Sequence, residues 1–133
     1  RYEGTDHSML EYTDNTLILN GFSKRYAMTG WRLGYLIAPP ILIRTLQKIQ
    51  QSFFISASGF TQWAGITAIK EAVPTIRKMV ETYRKRRDYL YNALRKLGFI
   101  IHRLPEGAFY LFADCRKFSK DAYKFTFDIL ENA

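Results

Sequence analysis

Apolar and polar positions along the chain alternate between short apolar runs and longer helical stripes. Leu17-Ile18-Leu19 is a compact apolar run of the kind that forms a buried strand. A polar break follows at Asn20-Gly21, then Phe22-Ser23-Lys24. A second run, Leu33 to Ala38, again reads as a strand, and Pro39-Pro40 stops it. This pattern predicts Lys24 in a loop at the end of the first strand and Arg32 at the entry to the second. Upstream, residues 1–12 are polar and read as an exposed loop, and Thr13-Asp14-Asn15 reads as a turn.

Helical periodicity takes over after Pro40. Leu42, Leu46, Ile49 and Phe53 share one face, which predicts a helix over 41–54. Ser56-Ala57-Ser58-Gly59 breaks it, and a second helix is expected over 61–72 with Trp63, Ile66 and Ile69 apolar. Pro74 suits a first helical turn, and Ile76, Met79, Val80, Tyr83, Leu90, Leu94 and Leu97 mark one long face, with Gly98 placed as its C-terminal stop. Short strands are expected at Phe99-Ile100-Ile101 and at 108–112, separated by a turn at Leu104-Pro105-Glu106-Gly107. Ser119 is expected to cap a last helix striped by Tyr123, Phe127 and Leu130, with Asp121 strengthening its start.

Composition narrows the class. With 47% hydrophobic and 16% aromatic residues among 133, the chain has the makeup of a core-forming globular protein. No apolar run is long enough to cross a bilayer, so no membrane role is expected and a cytoplasmic location is the default. The single cysteine, Cys115, leaves no intramolecular disulfide and reads as a partly buried thiol at a strand end. His7 has no partner pattern and reads as a surface residue. The net charge of +8 raises nucleic acid as a partner. Much of that charge, however, lies between Arg77 and Arg95 around an apolar stripe, the pattern of a solvated helix face, so no nucleic-acid partner is expected.

Lys24 and Arg32 carry the candidate chemistry. A lysine amine becomes nucleophilic when burial or a neighbouring cation frees its lone pair, and it then forms an imine with an aldehyde. A guanidinium presents a planar fork to two phosphate oxygens. An aldehyde and a phosphate on one molecule describe pyridoxal 5′-phosphate (PLP). Taken alone, a lysine between two strands is more often a solvated charge. The wording around it is specific, however. Asn20-Gly21-Phe22-Ser23-Lys24, followed by Tyr26-Ala27-Met28-Thr29-Gly30-Trp31-Arg32-Leu33-Gly34-Tyr35, resembles the PLP-lysine signature of class I/II aminotransferases, the fold-type I enzymes related to aspartate aminotransferase. Pro105-x-Gly107-Ala108-Phe109-Tyr110 is similar to a second segment of that family.

The resemblance implies that Lys24 is the Schiff-base lysine and general base and that Arg32 binds the PLP phosphate. Many members carry a phosphate-binding serine three residues before the lysine. Gly21 stands there in this chain, and Ser23 is the remaining candidate for that contact. It also implies an α/β fold: part of the PLP-binding large domain, a mixed sheet with helices, over residues 1–73; a long connecting helix over 74–97; and the start of an α+β small domain over 98–133. Arg1-Tyr2-Glu3-Gly4 resembles the stretch just after the family's Asp-x-x-Tyr segment, and the chain stops before the family's carboxylate-gripping arginine. The expectation is therefore a C-terminal-half fragment, inactive alone, of a homodimeric enzyme that moves an amino group between an amino acid and a 2-oxo acid. Rival readings on the same scaffold are a carbon–sulfur β-lyase, an aminocyclopropane-carboxylate-synthase-like enzyme and an aminotransferase-like regulatory domain. A basic interaction module is the rival from another class.

Overall fold

Two short strands, β1 (Ile18–Gly21) and β2 (Gly34–Ile37), pair antiparallel with Ile18 opposite Ile37 and Gly21 opposite Gly34. They form a two-stranded sheet in this computed structural model, which describes residues 1–132. Ala133, the last residue of the expected 98–133 segment, lies outside the described residues. The two apolar runs thus do form strands, but β2 is exposed throughout and Leu19 of β1 is exposed as well. A two-stranded ribbon has no neighbouring strand or covering layer of its own to bury both faces, so the expectation of buried strands does not hold. The connection between them is not an open loop. Phe22–Arg25 forms one helical turn, α1, and Thr29–Trp31 forms a 3-10 turn.

Three longer helices follow: α2 (Pro40–Phe54), α3 (Gly59–Glu71) and α4 (Val73–Leu97). Pro40 stands in the first turn of α2 and Pro74 in that of α4, where their missing N–H has no intrahelical partner to lose. A break separates α2 from α3 as expected, although it ends at Ser58 and Gly59 already opens α3. Gly98, at φ +102°, ends α4, and the Phe99 N–H reaches back to the Leu94 carbonyl at 3.0 Å. The chain divides into two compact units, Asp6–Lys78 and the segment Arg1–Thr5 together with the chain from Met79 on, so α4 contributes to both.

In the first unit the packed centre is small. Phe22 (4% exposed) and Met28 (7%) are its buried apolar side chains, joined by Thr61 and Gly65 from α3. Gly65 sits mid-helix, where alanine would normally be favoured. The reason is proximity: a Cβ there would stand 2.5 Å from Leu33 Cδ2 and 3.5 Å from Phe22 Cζ. The apolar stripes of α2 and α3 stay largely uncovered within this unit, with Phe53, Phe54, Phe60 and Trp63 all exposed.

The second unit is held by an ionic and aromatic clasp. The Arg87 side chain, 7% exposed, donates to both Glu3 carboxylate oxygens at 2.8 and 2.9 Å and to the Pro105 carbonyl at 2.8 Å. It also pairs with Asp88 at 2.8 Å and lies 4.7 Å from the centre of the Tyr2 ring. The Glu3 and Asp88 carboxylates raise the Arg87 pKa, while Arg87 lowers that of Glu3. The Tyr2 N–H donates to the Glu106 carbonyl at 2.7 Å, its hydroxyl donates to the Ala108 carbonyl, and Arg1 pairs with Glu106. Residues 1–5 are thus mostly exposed and without helix or strand, as expected, and are fastened to this unit by these bonds.

Two expectations fail in this unit. The strands expected at Phe99–Ile101 and over 108–112 are not formed; a single antiparallel bridge pairs Ile100 with Asp114. Ala108 adopts φ +60°, which takes the chain out of the extended region just where the second strand was to begin. Nor does Ser119 cap the last helix. α5 starts at Ala122, and its N-cap is Asp121, whose carboxylate accepts from the Lys124 N–H at 3.0 Å; Ser119 instead accepts from the Asp121 N–H at 3.1 Å. The aromatic residues Phe99, Phe118 and Phe125 cluster beneath it, with ring centres 4.7 to 6.3 Å apart. Cys115 is half-buried beside the bridge, and His7 is exposed and bonded to Glu11 at 2.9 Å.

Two variants test this packing in the full-length protein. Gly65→Val should destabilise it by about 1–3 kcal/mol, because the added methyls meet Leu33 and Phe22; an unchanged denaturation midpoint would mean that the close approach is not real. Arg87→Ala should cost about 2 kcal/mol, less than the roughly 3–5 kcal/mol for breaking a fully buried ion pair, because Glu3 is half exposed. Chemical denaturation reads it, and full retention of stability would show that the clasp is ornamental.

Candidate functional site

The site is built on the connected end of the β1–β2 ribbon, where residues 22–33 join the two strands. Beyond Gly21 opposite Gly34, one further bond, from the Phe22 N–H to the Leu33 carbonyl at 3.1 Å, extends the pairing. Everything between Phe22 and Leu33 is thus held at that end. α1 starts at once, because Gly21 takes the extended N-cap conformation and Phe22 turns inward to be buried. The Phe22 ring contacts Tyr26 at 5.1 Å and Tyr35, edge-on, at 5.9 Å. With Phe22 anchored, Ser23 and Lys24 occupy the outer positions of the turn; Ser23 is half-buried and Lys24 is exposed.

A short relay joins this turn to Arg32. The Thr29 hydroxyl donates to the Ser23 carbonyl at 3.1 Å, and the Arg32 guanidinium donates to the Thr29 carbonyl at 3.0 Å. Arg32 itself stands at φ 53°, ψ 43°, the left-handed conformation that closes the 3-10 turn and starts the chain into β2. Thr29 went unassigned in the sequence, although it lies inside the stretch that singled out Lys24 and Arg32. Its hydroxyl is the direct hydrogen-bonded tie between the lysine turn and the arginine turn.

Arg32 lines an open concavity of about 1010 Å3. Its other walls come from the turn (Ala27, Gly30, Trp31), from β1 and β2 (Leu19, Gly34, Tyr35, Leu36), and from the α2–α3 junction (Phe54, Ser56, Ala57, Ser58, Phe60, Thr61). Trp31 and Phe60 meet across it with ring centres 6.1 Å apart. Lys24 and Ser23 are not among the lining residues; they stand on the adjoining turn. Thr29 thus links Ser23 to Arg32, with Lys24 next to Ser23 on the same turn, and only Arg32 is on the wall of the concavity. The hydroxyl-bearing residues Ser56, Ser58 and the 3%-exposed Thr61 were not among the site residues expected from the sequence.

A chemical fit to PLP can be judged from the donor set. Lys24 offers a primary amine on a surface turn. Arg32 commits one N–H group to Thr29, and a guanidinium has five, so donors remain for an anion. The concavity matches the size of small-molecule sites. These groups suit a small aldehyde that bears a phosphate. Among the described residues, no cluster of histidine, cysteine, aspartate or glutamate is arranged to hold a metal, and no helix is long and apolar enough to cross a membrane.

Comparison with known proteins gives a consistent picture. The family model for aminotransferase class I and II matches residues 2–132. The chain is 40% identical over 121 residues to an aspartate aminotransferase of Musicola paradisiaca, covering 90% of this chain and 30% of that protein. It is 35% identical to a probable N-acetyl-LL-diaminopimelate aminotransferase of Bacillus subtilis, covering 99% of this chain and 34% of that one. Among solved structures, a double mutant of the Thermus thermophilus aspartate aminotransferase superposes with a TM-score of 0.89 at 34% identity, over 98% of this chain and 35% of that one. The chain spans about a third of the length of these relatives. With the signature around Lys24, the α/β arrangement of helices about a small sheet and a family match over nearly its whole length, this chain belongs to the class I and II aminotransferases.

Proposed function

We propose that the protein is a PLP-dependent aminotransferase that moves an amino group between an amino acid and a 2-oxo acid. The observation that carries this reading is the relay from the Ser23 carbonyl through Thr29 to Arg32, which ties the lysine turn to a cationic wall of a ligand-sized concavity. Lys24 is the residue to which the cofactor attaches, through Nζ. With PLP bound, the Lys24 amine would serve as general base for the substrate's α-proton and then, as the ammonium, as general acid returning it. PLP, when bound, supplies the electron sink that makes this α-proton acidic. Arg32 would neutralise the phosphate, and Ser23 is the candidate for a hydroxyl contact to it.

Other parts of the reading rest on the family. Residues 1–73 belong to the PLP-binding domain, 74–97 to the connecting helix and 98–133 to the start of the small domain. The working form is a cytoplasmic homodimer. The exposed aromatic residues of α2 and α3, Phe53 and Trp63 among them, support a further layer of protein over this unit. By name, the relatives act on aspartate and on N-acetyl-LL-diaminopimelate. The proposal for this chain therefore stays at the level of α-amino acid and 2-oxo acid.

A coupled assay of the full-length protein over a panel of amino acids with 2-oxoglutarate tests the reading. Turnover should be present in the wild type and fall by at least about 100-fold in Lys24→Ala, the usual scale for loss of a general base. Arg32→Ala should weaken PLP binding by about 2 kcal/mol, a roughly thirtyfold loss of affinity, because one charge-assisted contact is removed from an exposed site. Wild-type turnover in Lys24→Ala, or unchanged PLP affinity in Arg32→Ala, would overturn the assignment of that residue.

A further inference from the structure

The peptide unit that leads into Lys24 is held by a side chain from further along the connection. Its carbonyl, that of Ser23, sits in the one-turn helix α1, and the carbonyls that end a helix need partners from outside it. The Phe22 carbonyl is met by the Tyr26 N–H at 3.1 Å. One residue later the chain leaves the helical path, because Ala27 turns left-handed at φ 55°. The Ser23 carbonyl is met by the Thr29 hydroxyl, which donates to it at 3.1 Å.

Both ends of this bond are anchored. Phe22 precedes Ser23 and Met28 precedes Thr29, and these two are buried apolar side chains of the unit. Thr29 also reaches the other way, since its main-chain carbonyl accepts from the Arg32 guanidinium at 3.0 Å. One residue thus holds the lysine turn with its side chain and the arginine with its backbone. The Ser23 carbonyl lies in the peptide plane that joins Ser23 to Lys24. A tilt of that plane swings the Lys24 N–Cα bond and redirects its side chain. Lys24 is exposed, and a lysine has many rotamers, so the root of the side chain is the part that the fold can fix.

We infer that Thr29 is a positioning residue for Lys24: its hydroxyl sets the reach from the Lys24 amine to the Arg32 guanidinium, so that both engage one ligand at once. The inference rests on the PLP reading above, because it takes that cofactor as the ligand with two ends. It concerns the spacing of the two groups and not the contact that either makes. Two contacts made by one molecule reinforce each other only where their spacing matches it. Without the hydroxyl, each group would keep its own end of the ligand and the joint gain would shrink.

The test is equilibrium binding of three probes to the full-length protein. PLP has both ends, pyridoxal has the aldehyde without the phosphate, and pyridoxine 5′-phosphate has the phosphate with an alcohol in place of the aldehyde. Thr29→Val keeps the shape of the side chain and removes the hydroxyl. Its PLP affinity should fall on the order of tenfold, the upper range for one neutral hydrogen bond. Pyridoxal and pyridoxine 5′-phosphate should bind it as they bind wild type. Thr29→Ser, which keeps the hydroxyl, should restore PLP affinity. Wild-type PLP affinity in Thr29→Val, a loss of either single-ended probe as large as that of PLP, or no recovery in Thr29→Ser would overturn the positioning role and leave the PLP reading standing. A wild-type protein that binds PLP no more tightly than the single-ended probes would sink both.

Discussion

The pairing of Gly21 with Gly34 is the constraint on which the site depends. It fixes where the ribbon ends, and the bond from the Phe22 N–H to the Leu33 carbonyl closes the connecting segment on itself. Because side chains alternate along a strand, a shift of one residue in this pairing would exchange the faces of every strand residue. It would also bring Arg32 into the ribbon and break its bond to Thr29. Register, the burial of Phe22 and Met28, and the Thr29 relay are one arrangement. Lys24 and Arg32 are far enough apart in sequence that nothing local to either residue would set their relation.

The packing around this arrangement is thin. Its buried centre is a few side chains, and the close approach at Gly65 brings α3 against Leu33 and Phe22. The large apolar residues of α2 and α3 lie mostly in solvent. The ribbon, α1 and the 3-10 turn thus carry the geometry of the site with little core beneath them. This places weight on the hydrogen bond from Arg32 to the Thr29 carbonyl, made from a left-handed backbone at Arg32. The Arg87 clasp plays the corresponding role in the other unit, where a buried guanidinium with two carboxylates and a carbonyl does the joining that a larger apolar core would do.

Much of this was legible in the sequence. Helices α2, α3 and α4 follow directly from apolar spacing, Pro40, Pro74 and Gly98, and the stretch around Lys24 marks the site by its wording. What was not legible depended on contacts between distant residues or on single backbone torsions. The apolar run over 108–112 has strand composition, but a positive φ at Ala108 and a tyrosine hydroxyl on its carbonyl draw it out of any sheet. Ser119 and Asp121 are both good caps, and only the position of the first helical N–H groups decides between them. The strands read as buried because Leu, Ile and Val runs usually are; the exposure of β2 reflects what packs against it, which no local pattern encodes.

The central claim is that Lys24 is the attachment point of PLP, and it can be read without measuring turnover. The full-length protein is incubated with PLP, reduced with borohydride, digested and mapped by mass spectrometry. The account predicts one stable adduct, on the peptide that contains Lys24. An adduct on Lys48 or Lys70, with Lys24 unmodified, would contradict it.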